Sequence, residues 1–405
     1  MERHGDDMEW SINSRRNKHK TQTLWMPKLC RQKLLGYAES MRDISNNFSD
    51  EREIKSLDRQ VVFEEKIYNE NRQVVSENLN TAAYIIESVA EEMAAYTPME
   101  DRRRKIITAA LKNEGITVTD SYYMPNKDGM NSIGLYLYSR KKSGYAAENV
   151  ADILTVILHK PFQLSATSPI FIDREEKSYI FVEETPFVVI TGMAKAVKDM
   201  ETISGDNYAV LESERGRVTL LLSDGTGSGD EACSGSERVL DLMEKMLEAG
   251  YDNDMAVKMV NNVFFALEQE SNHPTLDICE LDLYSGACKI NKVGAAATFV
   301  KKADRVDMVI GDSLPLGLVR EASTDSAELK LESGDYVIMM TDGVLEALEE
   351  QDYEQEMVKL IKELNEQNPE GIAEKLLHKV LCLSKGVIRD DMTILAAGLW
   401  ENSKS

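Results

Sequence analysis

The sequence predicts an α+β protein in which a β-sandwich flanked by helices fills the carboxyl-terminal half, with a long helix and a small α+β module ahead of it. Three observations predict this. From 33 to 96 the chain holds one glycine and no proline; from 102 to 182 short helical and alternating apolar patterns follow one another; and from about 185 to 399 short apolar runs dominate, broken by two pairs of helical segments. Helices gathered in pairs among strands suit an antiparallel sandwich better than a parallel sheet, where single helices alternate with strands.

The expected organisation is a polar tail at 1–30, a long regulatory or dimerisation helix region at 31–100, an α+β module at 101–184 and a strand-rich domain at 185–400. The tail holds the dense basic cluster Arg15-Arg16-Asn17-Lys18-His19-Lys20, which reads as a solvated tail before it reads as a contact for acidic surfaces or lipid headgroups. In the helical region Tyr68, Val75, Ala82, Val89 and Tyr96 recur at heptad spacing, and Leu79, Ile86 and Met93 form a second such series. A seam of this kind needs cover, so two readings stand: a homodimer through the stripe, or packing on the helix's own domain. The patch Ser45-Asn46-Asn47 is a candidate break into two helices, and Pro98 ends the pattern.

In the module a helix is expected at 106–113, stopping at Gly115, then strands at 117–124 and 132–138 around the turn Asn126-Lys127-Asp128-Gly129. Ile133, Leu135 and Leu137 alternate as a half-buried strand should. A helix at 147–158 and a hairpin of 170–172 with 178–182 complete it. In the strand-rich domain, strands are expected at 187–191, 208–212, 218–222, 275–283, 288–293, 298–301, 336–340 and 392–397, and helices at 236–249, 254–268, 353–366 and 369–383.

Composition narrows the function. With 42% apolar and 29% charged residues the chain is an ordinary globular one, and no window approaches the ~18 consecutive apolar residues of a membrane span. The charged amino terminus lacks the apolar stretch of a secretory signal, so the expected compartment is the cytoplasm. A net charge of −23 repels a phosphate backbone, which argues against nucleic acid as a partner. Five cysteines without a CxxC pair read as reduced thiols.

The chemistry gathers at strand ends. In Leu220 to Gly229, LLLSDGTGSG, an apolar run delivers Asp224 into a glycine-rich turn; Tyr336 to Gly343, YVIMMTDG, does the same for Asp342; and in Arg389 to Leu395, RDDMTIL, the pair Asp390-Asp391 opens a strand. Asp206 in Ser204-Gly205-Asp206 is a fourth candidate. Several aspartates without a nearby histidine or cysteine suit hard cations, Mg²⁺ or Mn²⁺, rather than zinc. Two such ions about 4 Å apart can activate water for in-line displacement at phosphorus. A lone Asp-Gly is usually only a turn, and the joint pattern carries the inference. The run Gly225, Gly227, Gly229 does not complete GxGxxG, since position 230 is Asp; His273 reads as a loop residue, and Met339 and Met340 as core.

Ser204-Gly205-Asp206, Ser223-Asp224-Gly225-Thr226-Gly227-Ser228-Gly229, Thr275-Leu276-Asp277, Lys292-Val293-Gly294, Leu314-Pro315-Leu316-Gly317, Thr341-Asp342-Gly343 and Asp390-Asp391-Met392-Thr393 stand in an order and spacing that resembles the stage II sporulation protein E family. That family lies within the metal-dependent type 2C (PPM) serine/threonine phosphatases. The resemblance covers residues 185 to 399 strongly and the upstream region more loosely. It implies a PPM-type α-β-β-α sandwich, two Mn²⁺ or Mg²⁺ ions, and a phosphorylated anti-anti-sigma factor as substrate, whose dephosphorylation activates a sporulation sigma factor. It also implies roles: Asp224 bridging both metals, the Gly225 carbonyl assisting one, and Asp342 and Asp390 as terminal ligands, with Asp206 close by and Asp391 the fallback for Asp390. The helices of 236–268 would be a pair that switches the metal site on.

Two departures limit what is carried over. The family's protein has membrane-spanning helices at its amino terminus and this sequence encodes none, so membrane targeting is not carried over, and peripheral attachment at the division septum stays open. Thr226 stands where many eukaryotic type 2C enzymes place a histidine, which leaves the general acid unassigned. The preferred reading is a phosphatase acting by direct attack of water, since no nucleophilic cysteine or serine arrangement is evident. The alternatives are a catalytically silent type 2C-like module that binds a phosphoprotein, and a two-metal hydrolase of a small phosphoester.

Overall fold

The computed structural model describes residues 30–48, 59–94, 97–125, 131–140, 144–213, 216–266, 273–321, 323–348 and 352–402. The basic cluster of the tail, the turn at 126–129 and Tyr96 fall outside the described residues. The chain divides into two compact units, one of Met1–Ile153 with Thr167–Val182, the other of Leu154–Ala166 with Glu183–Ser405.

In the first unit, helix α1 (30–48) and helix α2 (Arg59–Ala94) are tied side to side. Ser45 Oγ reaches the Ser76 hydroxyl at 2.7 Å and donates to the Ser76 carbonyl at 2.8 Å, and Arg42 pairs with Glu87. The tie uses the face of Ser76, Ala83 and Ala90, all buried. The apolar stripe of larger residues lies one position away, and Tyr68, Val75 and Val89 stay exposed. Helix α3 (Asp101–Asn113) begins earlier than its apolar pattern because Asp101 favours a first helical turn, and Ile107 and Leu111 are its buried positions.

Strands β1 (Thr97–Pro98), β2 (Ile116–Pro125), β3 (Asn131–Ser139) and β7 (Lys177–Glu183) lie side by side in that order. Strand β4 (Tyr145–Ala146), helix α4 (Glu148–Leu158), strand β5 (Phe162–Leu164) and strand β6 (Phe171–Ile172) come between β3 and β7 in the chain. The expected hairpin of 170–172 with 178–182 does not form. Strand β6 pairs with β4 and β7 pairs with β3, because backbone pairing is decided by what lies alongside and not by the turn alone.

The second unit is a sandwich of two five-stranded antiparallel sheets. One runs β15-β12-β11-β10-β9 and the other β14-β13-β16-β17-β8. The first is built from β9 (Asn207–Ser213), β10 (Arg217–Ser223), β11 (Leu276–Asp282), β12 (Ala287–Val293) and β15 (Asp325–Lys330). The second uses β8 (Phe187–Ala196), β13 (Thr298–Lys301), β14 (Val306–Val309), β16 (Tyr336–Met340) and β17 (Met392–Glu401). Leu220, Leu222, Ile290, Val337, Met339 and Leu395 share the core between the sheets. Leu221 and Ile278 point the other way, onto α5 (Gly229–Glu248) and α6 (Asn253–Ala266), while Ile338 and Ile394 face α8 (Tyr353–Lys362) and α9 (Pro369–Leu383). Both faces of each central strand are thus covered, so runs such as Leu220-Leu221-Leu222 are apolar throughout instead of alternating.

Several elements were not expected from the sequence: the short strands β1, β4 and β5, and in the sandwich β14, β15 and the one-turn helix α7 (Asp342–Glu346). β15 is an edge strand, and its sequence Asp-Ser-Ala-Glu-Leu-Lys shows little apolar signal. Helix α5 starts at Gly229, before the expected 236, since Gly227 and Gly229 take positive φ and Ser228 is extended at the cap. The small residues of its first two turns hide the helical period.

Candidate metal centre

Antiparallel pairing brings every candidate carboxylate to one edge of the sandwich. The end of β10 lies beside the start of β9 through Ser223↔Asn207, the end of β16 beside the start of β17 through Met340↔Ile394, and the start of β17 beside the end of β8 through Met392↔Ala196. Asp206, Asp224, Asp342, Asp390 and Asp391 therefore arrive from four chain segments at that edge.

Asp224 is anchored by Thr275, whose N–H donates to the Asp224 carbonyl at 2.9 Å and whose hydroxyl accepts from the Asp224 N–H at 3.1 Å. Burial pushes the Asp224 carboxyl up to about 10, helped by the charges of Asp206 and Asp342 beside it. Its neighbour Gly225 is a necessity of space: a Cβ there would strike the backbone of Ala232 at the start of α5.

Asp206 is fully buried. Its Oδ2 accepts from Thr341 Oγ1 at 2.9 Å and from Thr393 Oγ1 at 2.7 Å, and its carbonyl accepts from Lys195 Nζ at 2.6 Å. Burial raises its carboxyl to about 6 against the pull of the two hydroxyls. Thr341 and Thr393 are fastened to each other as well, since Thr393 N donates to Thr341 Oγ1 at 2.9 Å and Thr341 N to the Thr393 carbonyl at 3.1 Å.

The pair at 390–391 is divided by its surroundings. Asp391 is buried and spends both carboxylate oxygens on main-chain donors, Oδ1 on Lys198 N at 2.9 Å and Oδ2 on Gly205 N at 2.7 Å. It clamps the β8–β9 connection. Asp390 is partly open, 3.8 Å from Lys198 Nζ, and its carboxyl is raised by burial, with the Asp342 charge adding to the rise. Gly343 follows Asp342 because a Cβ there would strike the Asp391 carbonyl.

Sequence reasoning gave no part to Thr341, Thr393, Lys195, Lys198 or Glu346. The two threonines stand inside the quoted motifs, but only strand pairing shows that both hydroxyls meet one oxygen. Glu346 sits one helical turn after Asp342 on α7, and burial, Asp342 and Asp390 raise its carboxyl. His273, read as a loop residue, lies against the turn after Asp224: Thr226 Oγ1 donates to its carbonyl at 2.6 Å and accepts from its N–H at 3.0 Å.

The donor set fits a hard divalent cation. Asp206 Oδ1 is buried without a hydrogen-bond partner, and Asp224 sits among like charges that force it neutral. Such a group is costly to bury alone, and a cation removes the cost. Among the described residues no three carboxylate, imidazole or thiol side chains are drawn up closely enough to hold an ion by themselves. Mg²⁺-type sites take one or two carboxylates and fill the remaining positions with water and carbonyl oxygens, which matches scattered aspartates beside the Gly225 carbonyl.

Comparison with known proteins agrees with this geometry. Residues 214–399 match the family model of stage II sporulation protein E (SpoIIE). The stage II sporulation protein E of Priestia megaterium is 28% identical over 343 residues, covering 82% of this chain and 57% of the relative. That of Bacillus subtilis (strain 168) is 27% identical over 339 residues, covering 84% and 41%. The chain thus spans about half the length of the curated relatives it matches. A solved structure of the PP2C phosphatase domain with a fragment of the regulatory domain of SpoIIE from Bacillus subtilis is 26% identical, with a TM-score of 0.59, covering 84% of this chain and 99% of that one. The strand-end aspartates, the two-sheet sandwich with paired helices on each face and these likenesses agree: residues 214–399 match the stage II sporulation protein E family model, and the second unit carries the type 2C phosphatase fold.

Proposed function

We propose that the second unit is a metal-dependent protein serine phosphatase that dephosphorylates a phosphorylated anti-anti-sigma factor and so activates a sporulation sigma factor. The observation that carries the reading is the Asp224 carboxyl at the end of β10, raised by burial and by the charges of Asp206 and Asp342 beside it, a position where a bound cation would favour its charged form. Mn²⁺ or Mg²⁺, two ions by this reading, would be held by Asp224, the Gly225 carbonyl, Asp342, Asp390 and Asp206. Bound there, they supply water activation and neutralise phosphoryl charge for in-line displacement.

The chain's own residues prepare that chemistry. Thr341 and Thr393 hold Asp206 in one orientation and favour its charged form. Thr275 fixes the backbone of Asp224, and Asp391 holds Gly205 in place ahead of Asp206. Lys198 sets a positive charge at the rim, beside Asp390, where a phosphate dianion would arrive. In the first unit the exposed stripe of Tyr68, Val75 and Val89 on α2 supports a homodimer contact.

The test is phosphate release by the full chain from a phosphoserine anti-anti-sigma factor, with Mn²⁺ present or chelated. Manganese-dependent release that Asp342→Asn abolishes without unfolding supports the reading. No release from the folded, metal-loaded protein moves it to a silent phosphoprotein-binding module.

A further inference from the structure

We propose that Asn261 on α6 is a positioning residue for the Asp224–Gly225 turn, acting through the 316–320 segment and His273. The proposal rests on the phosphatase reading for its activity readout, but its structural basis is independent of it.

Asn261 is buried, and its amide is used at both ends. Oδ1 accepts from Gly317 N at 2.9 Å, while Nδ2 donates to the Val319 carbonyl at 3.0 Å and the Arg320 carbonyl at 2.9 Å. Gly317 takes φ +75°, and a Cβ there would come within 2.8 Å of Phe264 Cβ, so the segment lies flat on α6. The same segment grips the next one. Leu316 N donates to the Pro274 carbonyl at 3.0 Å, and the Leu316 carbonyl accepts from His273 Nδ1 at 3.2 Å. His273 and Thr275 then hold the Asp224–Gly225 turn from two sides, through Thr226 and through the Asp224 backbone. Asn261, the 316–320 segment, residues 273–275 and the turn at 224–226 thus form one hydrogen-bonded strap from α6 to Asp224.

A buried network in which each member is satisfied has little slack, and removing one member is felt by the others. The aspartates depend on such fixing because their own charges push them apart.

The experiment uses the full chain and compares Asn261→Ala, Thr226→Val, Thr226→Ser and the Asn261→Ala/Thr226→Val pair with the wild type. Two quantities are read: amide hydrogen exchange at Asp224 and Thr275 in the metal-free protein, and the Mn²⁺ concentration for half-maximal phosphate release. Asn261→Ala and Thr226→Val should each speed exchange at both amides and raise the Mn²⁺ requirement by about three- to tenfold, the scale of one lost hydrogen bond. Thr226→Ser keeps the hydroxyl and should behave as wild type. The double variant should be no worse than about the larger single effect, since both cut the same strap.

Asn253→Ala is the control. It lies on the same helix, is equally buried and bonds Glu280 instead, so it should change neither quantity. Unchanged exchange at Asp224 and Thr275 in folded Asn261→Ala, or the same defect in Asn253→Ala, overturns the proposal. If Asn261→Ala fails to fold, Thr226→Val decides alone. A wild type that releases no phosphate sinks the phosphatase reading and leaves the exchange result to judge the strap.

Discussion

Replacing Asp224 by Asn should stabilise the metal-free protein while abolishing its stabilisation by Mn²⁺. In the folded state burial, Asp206 and Asp342 hold the Asp224 proton up to about pH 10, whereas the ordinary value is 3.8. Across that window the folded state binds more protons than the unfolded one, so metal-free stability falls as pH rises from about 4 towards 10. At neutral pH about three pH units of forced protonation set a ceiling of about 4 kcal/mol, and the part-exposed position of Asp224 lowers the expected gain to about 2 kcal/mol. Asp206, raised to about 6, adds a smaller loss of the same sign between about pH 4 and 6. The neutral Asn amide needs no proton and can donate to the carboxylates on either side. The assay is thermal unfolding in chelator from pH 5 to pH 9, repeated with Mn²⁺. Wild type should lose stability with pH more steeply than Asp224→Asn and recover it with the metal, whereas the variant should gain nothing from Mn²⁺. A metal-free variant less stable than wild type at pH 8, or one that Mn²⁺ still stabilises, would refute the reasoning.

Thr393→Val removes one of the two hydroxyls on Asp206 Oδ2 and should cost about 1–2 kcal/mol at pH 8, where Asp206 is charged, and less at pH 5, where it holds a proton; urea unfolding at the two pH values checks this. Lys292 and Asp277 form an ion pair at 2.7 Å with neither side chain more than 2% exposed, so Lys292→Met leaves a charge buried alone and should cost about 3–5 kcal/mol. The double change Lys292→Met with Asp277→Leu should recover most of that loss in the same measurement, and a double variant as unstable as the single one would count against it. Leu79→Glu or Ile86→Glu on α2 should shift oligomeric state or basal phosphatase activity while leaving Mn²⁺ binding intact; sedimentation and phosphate release together read this, and no change in either would remove the stripe from the account.

Much of the second unit is legible because both faces of its central strands are covered. Continuous runs such as Leu220 to Leu222 and Val337 to Met340 announce themselves against glycine-rich turns. The edge strands β14 and β15 have partners on one side only; β14 is just four residues long and β15 has little apolar content, so the sequence carries only a short or weak signal for them. The start of α5 was hidden by small residues chosen for close approach to Gly205 and Gly225 rather than for helical period. In the first unit the heptad stripe is visible, but the face that packs on α1 is the small-residue face of Ser76, Ala83 and Ala90, which a search for large apolar residues passes over.

By itself the sequence shows which aspartates stand at strand ends and that histidine and cysteine are absent among them, and from this comes the expectation of a hard cation. Local pattern suffices for that, because a strand end followed by glycine is a short-range feature. Only the tertiary structure shows what surrounds each carboxylate. Asp390 and Asp391 are adjacent and identical in type, yet one faces the opening and the other is consumed by the N–H groups of Lys198 and Gly205, contributed by a segment nearly two hundred residues away. The threonines on Asp206 and the strap from Asn261 to Asp224 arise in the same way, since hydrogen bonds between distant segments exist only once the sheets have paired.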